Sequence, residues 1–242
     1  MKILISANSI WNIYNFRLGL IKKLISDKHE VIIYAPKDEY LHKISHFNIK
    51  YINLSLNRNS ISFFSNLTTF INYFTTLYKE KPDIAVYYTI KPNILGGLAS
   101  RIINIKYINN VTGLGSSLIK KNFLSKLIFF LFSIALKKSK KIIFHNKFDL
   151  NLFKNKKIGN PLNLKYIPGS GVNKNDFPFK DYPINTHVTF LFIGRLLIDK
   201  GIMEFIKAAE ILNSKYYNLS FKILGMADTN NLSSIKREDI DK

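Results

Sequence analysis

The sequence predicts an α/β protein built on a doubly wound parallel sheet, followed by the start of a second unit of the same kind. Three observations carry this reading. Short β-rich runs alternate with helix-period segments from the first residue. The runs are apolar almost throughout, as strands buried on both faces are. After an aperiodic stretch containing two prolines, the alternation begins again.

In chain order, strands are expected at Ile3–Ser6, Val31–Tyr34, Tyr51–Leu54, Ile84–Tyr88, Tyr107–Val111, Ile142–His145 and Lys165–Ile167. Between the first two, Phe16, Leu20, Ile21, Leu24 and Ile25 fall on one helical face, and Lys22, Lys23 and Asp27 on the other. The same period recurs around Ser60–Lys79 and Asn93–Ile103. Residues 176–186 hold Pro178 and Pro183 without periodicity and are expected to link residues 1–175 to a second domain over 187–242. There, Val188–Ile193 is a buried-strand run ended by Gly194. Ile202, Phe205, Ile206, Ala209 and Leu212 supply a helical face, and Phe221–Leu224 another strand. A full Rossmann-like domain needs about twice the roughly 55 residues that remain, so the second domain is expected to be truncated at Lys242.

Composition narrows the function classes. With 242 residues, 47% hydrophobic and 21% charged, the chain can bury a large core and is not of disordered or fibrous type. The absence of cysteine excludes disulfides, thiolate metal sites and cysteine nucleophiles, and fits a cytoplasmic protein. The net charge of +20 attracts phosphates of any kind, but a chain so rich in Lys, Asn and Ile also reflects composition bias. Asn8, Asn12 and Asn15 interrupt the N-terminal apolar run, which reads as a strand and not a signal peptide. The longest nearly apolar run, Leu127 to Leu136, reaches about 15 Å as a helix against roughly 30 Å of bilayer hydrocarbon.

Several segments could carry chemistry. Gly194 to Gly201 (GRLLIDKG) lies between a strand and a helix, at the edge where ligands of open α/β sheets bind. Arg195 offers a planar fork, Lys200 a point charge, and the helix amides partial positive charge, a set suited to phosphate oxygens. The same residues would serve equally as a solvated basic turn. Loops after the first-domain strands bring Ser9, Asn12, Arg17, Lys91, Thr112 and Gly113 to one edge. Gly96 and Gly97 read as small residues that let a helix approach its sheet, and Pro168 to Gly171 as a turn. His145 ends a strand and reads as a satisfied structural histidine. Residues 120–141, an apolar helix between lysine clusters, suit either an interfacial helix on an anionic membrane or a core helix with solvated ends. Asp239-Ile-Asp241 sits in a polar terminus and reads as a coincidental match to a metal motif, so no metal is expected. No H-E-x-x-H, Walker or G-x-S-x-G motif occurs. The lysines form no stripe and no nucleic-acid motif occurs, so nucleic acid is not an expected partner, although a basic nucleic-acid-binding domain remains an alternative.

The Gly194–Gly201 octet resembles the G-R-x-x-x-x-K-G motif of family-4 glycosyltransferases, retaining enzymes of GT-B fold. Trp11 to Leu18 (WNIYNFRL), Thr89 to Gly97 (TIKPNILGG), Asn110 to Gly115 (NVTGLG) and Ile167 to Val172 (IPGSGV) resemble further motifs of the bacterial branch that builds lipid-linked oligosaccharides or capsule. The resemblance covers nearly the whole chain. It implies a hexosyltransferase that moves a hexose or N-acetylhexosamine from a nucleotide sugar, expected to be a UDP-sugar, to a lipid-linked or polysaccharide acceptor. No separate cofactor is implied. By resemblance Gly194, Arg195, Lys200 and Gly201 bind the donor diphosphate, and Asn12, Asn15, Arg17, Lys91, Thr112 and Gly113 lie on the acceptor side. The implied location is the cytoplasm, peripheral at the inner face of the plasma membrane. Two departures stand out. Where many members carry a histidine after Tyr107–Val111 this chain has Thr112-Gly113-Leu114, so no catalytic residue is assigned. The family's paired donor-site glutamates, eight positions apart, have no counterpart among Glu30, Glu39, Glu80, Glu204, Glu210 and Glu238. An inactive truncated remnant is therefore the alternative within the family.

Overall fold

The computed structural model describes residues 1–57, 60, 62–114, 123–181, 186–226, 234 and 235. Pro183, Gly115, Lys120, Lys121, Glu238 and the Asp239–Asp241 pair lie outside the described residues. The chain divides into two compact units, Met1–Pro178 and Phe179–Lys242.

The first unit is a seven-stranded parallel sheet of order β3-β2-β1-β4-β5-β6-β7. Its strands are β1 (Lys2–Ser6), β2 (Glu30–Ala35), β3 (Ile49–Asn53), β4 (Ile84–Tyr88), β5 (Lys106–Val111), β6 (Lys141–Phe144) and β7 (Leu164–Tyr166). All seven expected strands form, each within two residues of its expected bounds. Helix α1 (Ile10–Ser26) and the single turn α2 (Leu41–Ile44) cover one face of β1 and β2, where Ile3, Ile5, Val31 and Ile33 meet Ile10, Ile13, Ile21 and Ile44. The opposite face takes α3 (Phe63–Glu80), α4 (Gly97–Ile102), α5 (Phe123–Ala135) and α6 (Lys147–Asn155).

Side chains alternate across each strand, so one residue in two faces each helix layer. On the α3 side this places Tyr34, Tyr73, Tyr87 and Tyr107 in a buried row with successive ring centroids 5.1, 5.9 and 6.4 Å apart. Their hydroxyls are not abandoned in the core: Tyr73 pairs with Ser6 Oγ at 2.7 Å, Tyr87 with Ser100 Oγ at 2.6 Å, and Tyr107 donates to the Ala135 carbonyl at 2.6 Å. At the amino edge of the sheet the buried Glu80 carboxylate accepts from Lys50 Nζ at 2.7 and 2.8 Å and lies 3.2 Å from Lys2 Nζ. Lys50 chiefly holds the Glu80 pKa below the ordinary carboxylate range.

The expected helix over Asn93–Ile103 opens differently. Residues Pro92–Gly96 form a π-turn that passes into α4. A buried asparagine network holds it: Asn93 Nδ2 donates to the Asn110 carbonyl at 2.7 Å, and Asn109 Nδ2 to Asn93 Oδ1 at 3.0 Å.

The second unit pairs β8 (Val188–Ile193) with β9 (Leu219–Leu224) in parallel, joined through α7 (Ile202–Asn213). Leu196, Ile202 and Ile235 are its buried centre, flanked by Phe192, Met203, Ile206 and Ile223. Among the described residues no helix is long and apolar enough to cross a membrane.

Candidate functional site

Parallel strands place all their following loops at one edge. In the first unit, β1 and β4 are neighbours whose connections leave to opposite faces, α1 to one and the π-turn with α4 to the other. A crevice opens at such a switch point, and ligands of open α/β sheets bind there.

Side chains at this edge are unusual in two ways. Thr89, directly after β4, has φ of 67°, a left-handed conformation that costs a β-branched residue about 1–3 kcal/mol. And of the six buried side-chain polar atoms without a hydrogen-bond partner among the described residues, five belong to this edge: Asn12 Oδ1, Arg17 Nε, Thr89 Oγ1, Asn110 Nδ2 and His145 Nε2. Native interiors leave few such atoms unpaired, because each costs about 1–3 kcal/mol.

Arg17 is the centre of this cluster. It projects from α1, is only 6% exposed, and its guanidinium carbon lies 4.0 Å from the Tyr88 ring centroid. Nη1 donates to Ser170 Oγ at 2.7 Å and to the Phe16 carbonyl at 3.4 Å. Burial lowers the Arg17 pKa from its ordinary value. His145, at the end of β6, has its pKa lowered first by burial and then by the Arg17 charge, while a backbone hydrogen bond at Gly169 opposes both. His145 thus engages the Gly169 backbone, while its Nε2 is buried without a partner. The Pro168–Gly171 turn reaches Arg17 through Ser170, with left-handed Gly169 (φ 70°) and Gly171 (φ 69°) on either side.

The remaining first-unit candidates divide. Ser9 caps α1, its side chain accepting from the Asn12 amide at 3.1 Å. Asn15 is exposed and donates to the Trp11 carbonyl at 2.9 Å. Lys91 donates to the carbonyls of Asn57 and Ser60 at 2.6 and 2.5 Å, and burial lowers its pKa. Thr112 and Gly113 follow β5, Gly113 with φ of 143° and open space where a Cβ would stand. Asn146 caps α6, accepting from the Asp149 amide at 2.7 Å and donating to its carboxylate at 2.8 Å.

In the second unit, Gly194 follows β8 and its amide bonds the Leu224 carbonyl at 3.1 Å. Its own carbonyl lies against Gly225, where any side chain would collide with it. Lys200 closes a 3-10 turn, and Gly201, at φ 80°, ψ 20°, turns the chain into α7. Arg195 and Lys200 are both exposed, within one short loop between a parallel strand and a helix N-terminus. Arg195, Lys200 and the N-terminus of α7 put positive charge into one loop, which suits an anion.

Residues 2–146 match the family described as "Glycosyl transferase 4-like". The chain is 30% identical over 241 residues to the N,N'-diacetylbacillosaminyl-diphospho-undecaprenol alpha-1,3-N-acetylgalactosaminyltransferase of Campylobacter jejuni, an alignment of 90% of this chain and 62% of that protein. It is 26% identical over 191 residues to the capsular polysaccharide biosynthesis glycosyltransferase CapM of Staphylococcus aureus, over 72% of this chain and 49% of CapM. The chain thus spans less than two thirds of either relative. Anabaena HepE in complex with UDP-glucose shares the fold at TM-score 0.67 and 15% identity, over 99% of this chain and 63% of that one. A glycosyltransferase from Rickettsia africae does so at TM-score 0.60 and 20% identity, over 91% and 59%.

Proposed function

The chain belongs to the glycosyl transferase 4-like family, and from that premise we propose that it moves a hexose or N-acetylhexosamine from a UDP-sugar to a lipid-linked or polysaccharide acceptor in surface glycan synthesis. The observation that carries the donor half is the Gly194–Gly201 loop. Arg195 and Lys200 stand between a parallel strand and a helix opened by left-handed Gly201. They grip the diphosphate and neutralise the charge it gains as the sugar leaves, each charge-assisted bond contributing about 1.5–3 kcal/mol. Gly194 keeps the backbone close to the ligand.

Residues 1–175 form the acceptor side in this reading, and residues 187–242 begin the donor side. Asn12, Asn15, Arg17, Lys91, Thr112 and Gly113 line the acceptor edge or hold its loops. The two similar proteins named for glycan synthesis support the acceptor class, one of them naming a diphospho-undecaprenol substrate. Peripheral contact with an anionic membrane, at the cytoplasmic face, is assigned to residues 120–141 and would bring the chain to a lipid-linked acceptor.

The test is sugar transfer by the purified chain from radiolabelled UDP-sugars to a polyprenyl-diphosphate-linked glycan, alongside UDP binding. Transfer that Arg195→Ala abolishes supports the reading. Unchanged UDP affinity in Arg195→Ala defeats the assigned role, and binding without transfer assigns this chain to the inactive alternative.

A further inference from the structure

We propose that Arg17, Ser170 and His145 form a phosphate subsite in the first unit that takes the diphosphate of a polyprenyl-diphosphate acceptor. This deepens the proposed function and rests on it for the identity of the lipid; the site itself rests on the geometry of one unit.

Arg17 is a buried cation without an anion. A charge taken out of water costs several kcal/mol unless it is paired, and no carboxylate pairs with this guanidinium among the described residues. Its partners are two aromatic faces, Tyr88 at 4.0 Å and Phe16 at 5.9 Å from the guanidinium carbon, and two neutral oxygens, and Nε has none. The carboxylates of neighbouring elements are committed elsewhere. Asp38 accepts from the Trp11 and Tyr40 amides at 2.9 Å each, and Asp149 is tied to Asn146. The cluster gathers polar groups from α1, the end of β6 and the loop after β7 without supplying the charge that would balance Arg17.

A ligand that completes it must be anionic and must accept several hydrogen bonds. A phosphoryl group does both, and the guanidinium fork fits its oxygens. The loop that carries Ser170 is open on either side of it: a Cβ on Gly169 or Gly171 would meet nothing within 4 Å. The exposed Trp11 and Phe16 rings, on the same helix and 5.4 Å apart edge to face, offer an apolar surface to the first isoprene units. Arg195 and Lys200 belong to the other unit and to the donor, so the two phosphate sites separate by mutation.

The experiment uses the full 242-residue chain and farnesyl diphosphate, a soluble short-chain probe, followed by the fluorescence of Trp11, the chain's one tryptophan, and by Tm. Farnesyl diphosphate should bind saturably and raise Tm, whereas farnesol should not. Arg17→Gln should weaken binding by about tenfold or more and Ser170→Ala by about threefold, each leaving UDP affinity within about twofold. Ser170→Ala, on an exposed loop, keeps the test decisive if Arg17→Gln folds poorly. No binding by the parent, or binding unchanged in both variants, overturns the proposal. Inorganic pyrophosphate binding as tightly as farnesyl diphosphate assigns the subsite to a free phosphate and overturns its acceptor role. Loss of UDP affinity in Arg17→Gln as large as in Arg195→Ala places Arg17 in the donor site, and also overturns it. Failure of sugar transfer with farnesyl diphosphate binding intact removes the enzyme reading alone and supports the subsite.

Discussion

Gly96 rests on the ring of Tyr87: a Cβ at Gly96 would stand 2.7 Å from both Cδ1 and Cζ of that ring. Tyr87 cannot retreat, being fully buried with its hydroxyl bonded to Ser100 at 2.6 Å. Gly96→Ala should therefore destabilise the first unit by about 1–3 kcal/mol through overpacking. Gly97→Ala, whose Cβ would meet the Ala135 carbonyl oxygen at 3.4 Å, should cost distinctly less. Urea midpoints of the two variants check the order, and equal losses would show that the turn shifts to accommodate either methyl.

The reading of these two glycines as spacers came from sequence, as did the parallel strands, because both depend on local pattern: apolar runs of strand length, and adjacent small residues where a helix must start close to a sheet. The site was legible only in part. Arg17 could be placed at the ligand edge, but nothing local reports that its guanidinium crosses to Tyr88 and Ser170, a contact between residues 153 positions apart. The left-handed φ of Thr89 has no sequence signal either, since threonine is a poor choice for that conformation and is held there by the surrounding fold. His145 was visible as a strand-end histidine; the unpaired state of its Nε2 is a property of packing.

Glu80 joins β1, β3 and α3 at the amino edge of the sheet, with Lys50 and Lys2 on a carboxylate whose side chain is 6% exposed. Its folded pKa is depressed, chiefly by Lys50, so its contribution is fully present above the ordinary pKa of 4.5 and is lost as pH falls through the lower folded value. Glu80→Gln should cost about 1–3 kcal/mol at pH 7, less than a deep ion pair because the lysines can return to water. The variant should also lose less stability than the parent between pH 5 and pH 3, by about the amount it has already lost. Urea unfolding at the three pH values measures both effects.

His145 should produce a separate step at higher pH. Burial and Arg17 depress its folded pKa below 6.5, so the unfolded chain binds the proton more tightly. Stability present above 6.5 is lost as pH falls through the folded pKa. His145→Gln should flatten the limb between about pH 7.5 and pH 5.5 without altering the acid limb assigned to Glu80. If the parent is equally stable at both pH values, the histidine is not held in its neutral form. Occupation of the Arg17 subsite by a phosphate would remove part of the penalty for protonation, so the step should shrink when farnesyl diphosphate is present.

Gly201 tests how far donor binding depends on backbone shape. At φ 80° it is the hinge between Lys200 and α7, and a side chain there is strained even though space is available. Gly201→Ala should cost the second unit about 1 kcal/mol. Lys200→Ala removes one cation without touching the backbone and should weaken UDP binding by about tenfold or more. If Gly201→Ala weakens UDP binding comparably while Lys200 is intact, the orientation of the loop and helix amides matters as much as the charge. If neither change affects UDP, the loop is a solvated turn and the donor reading fails with it.

Helix α5, within the lysine-flanked segment, has a buried face and an exposed apolar one. Phe132 and Ala135 are buried, and Phe132 packs on Phe153 at 5.4 Å, as a core helix requires. Phe123 (82% exposed), Leu127 and Phe130 (59% exposed) form an outward stripe at spacings of four and three residues. Lys126 on the helix and Lys137, Lys138, Lys140 and Lys141 beyond it are exposed, each able to contribute about 1 kcal/mol near an anionic leaflet. Core packing accounts for the inner face, and the proposed contact with anionic headgroups would fall on the outer aromatics. The double variant Phe123→Asp with Phe130→Asp should keep its Tm, because neither ring supports the core, while its cosedimentation with phosphatidylglycerol vesicles falls by about tenfold or more. Parent binding to neutral phosphatidylcholine vesicles should be weaker and insensitive to salt. Retention of vesicle binding by the double variant would move the membrane contact off α5, and a large fall in its Tm would return the stripe to the core.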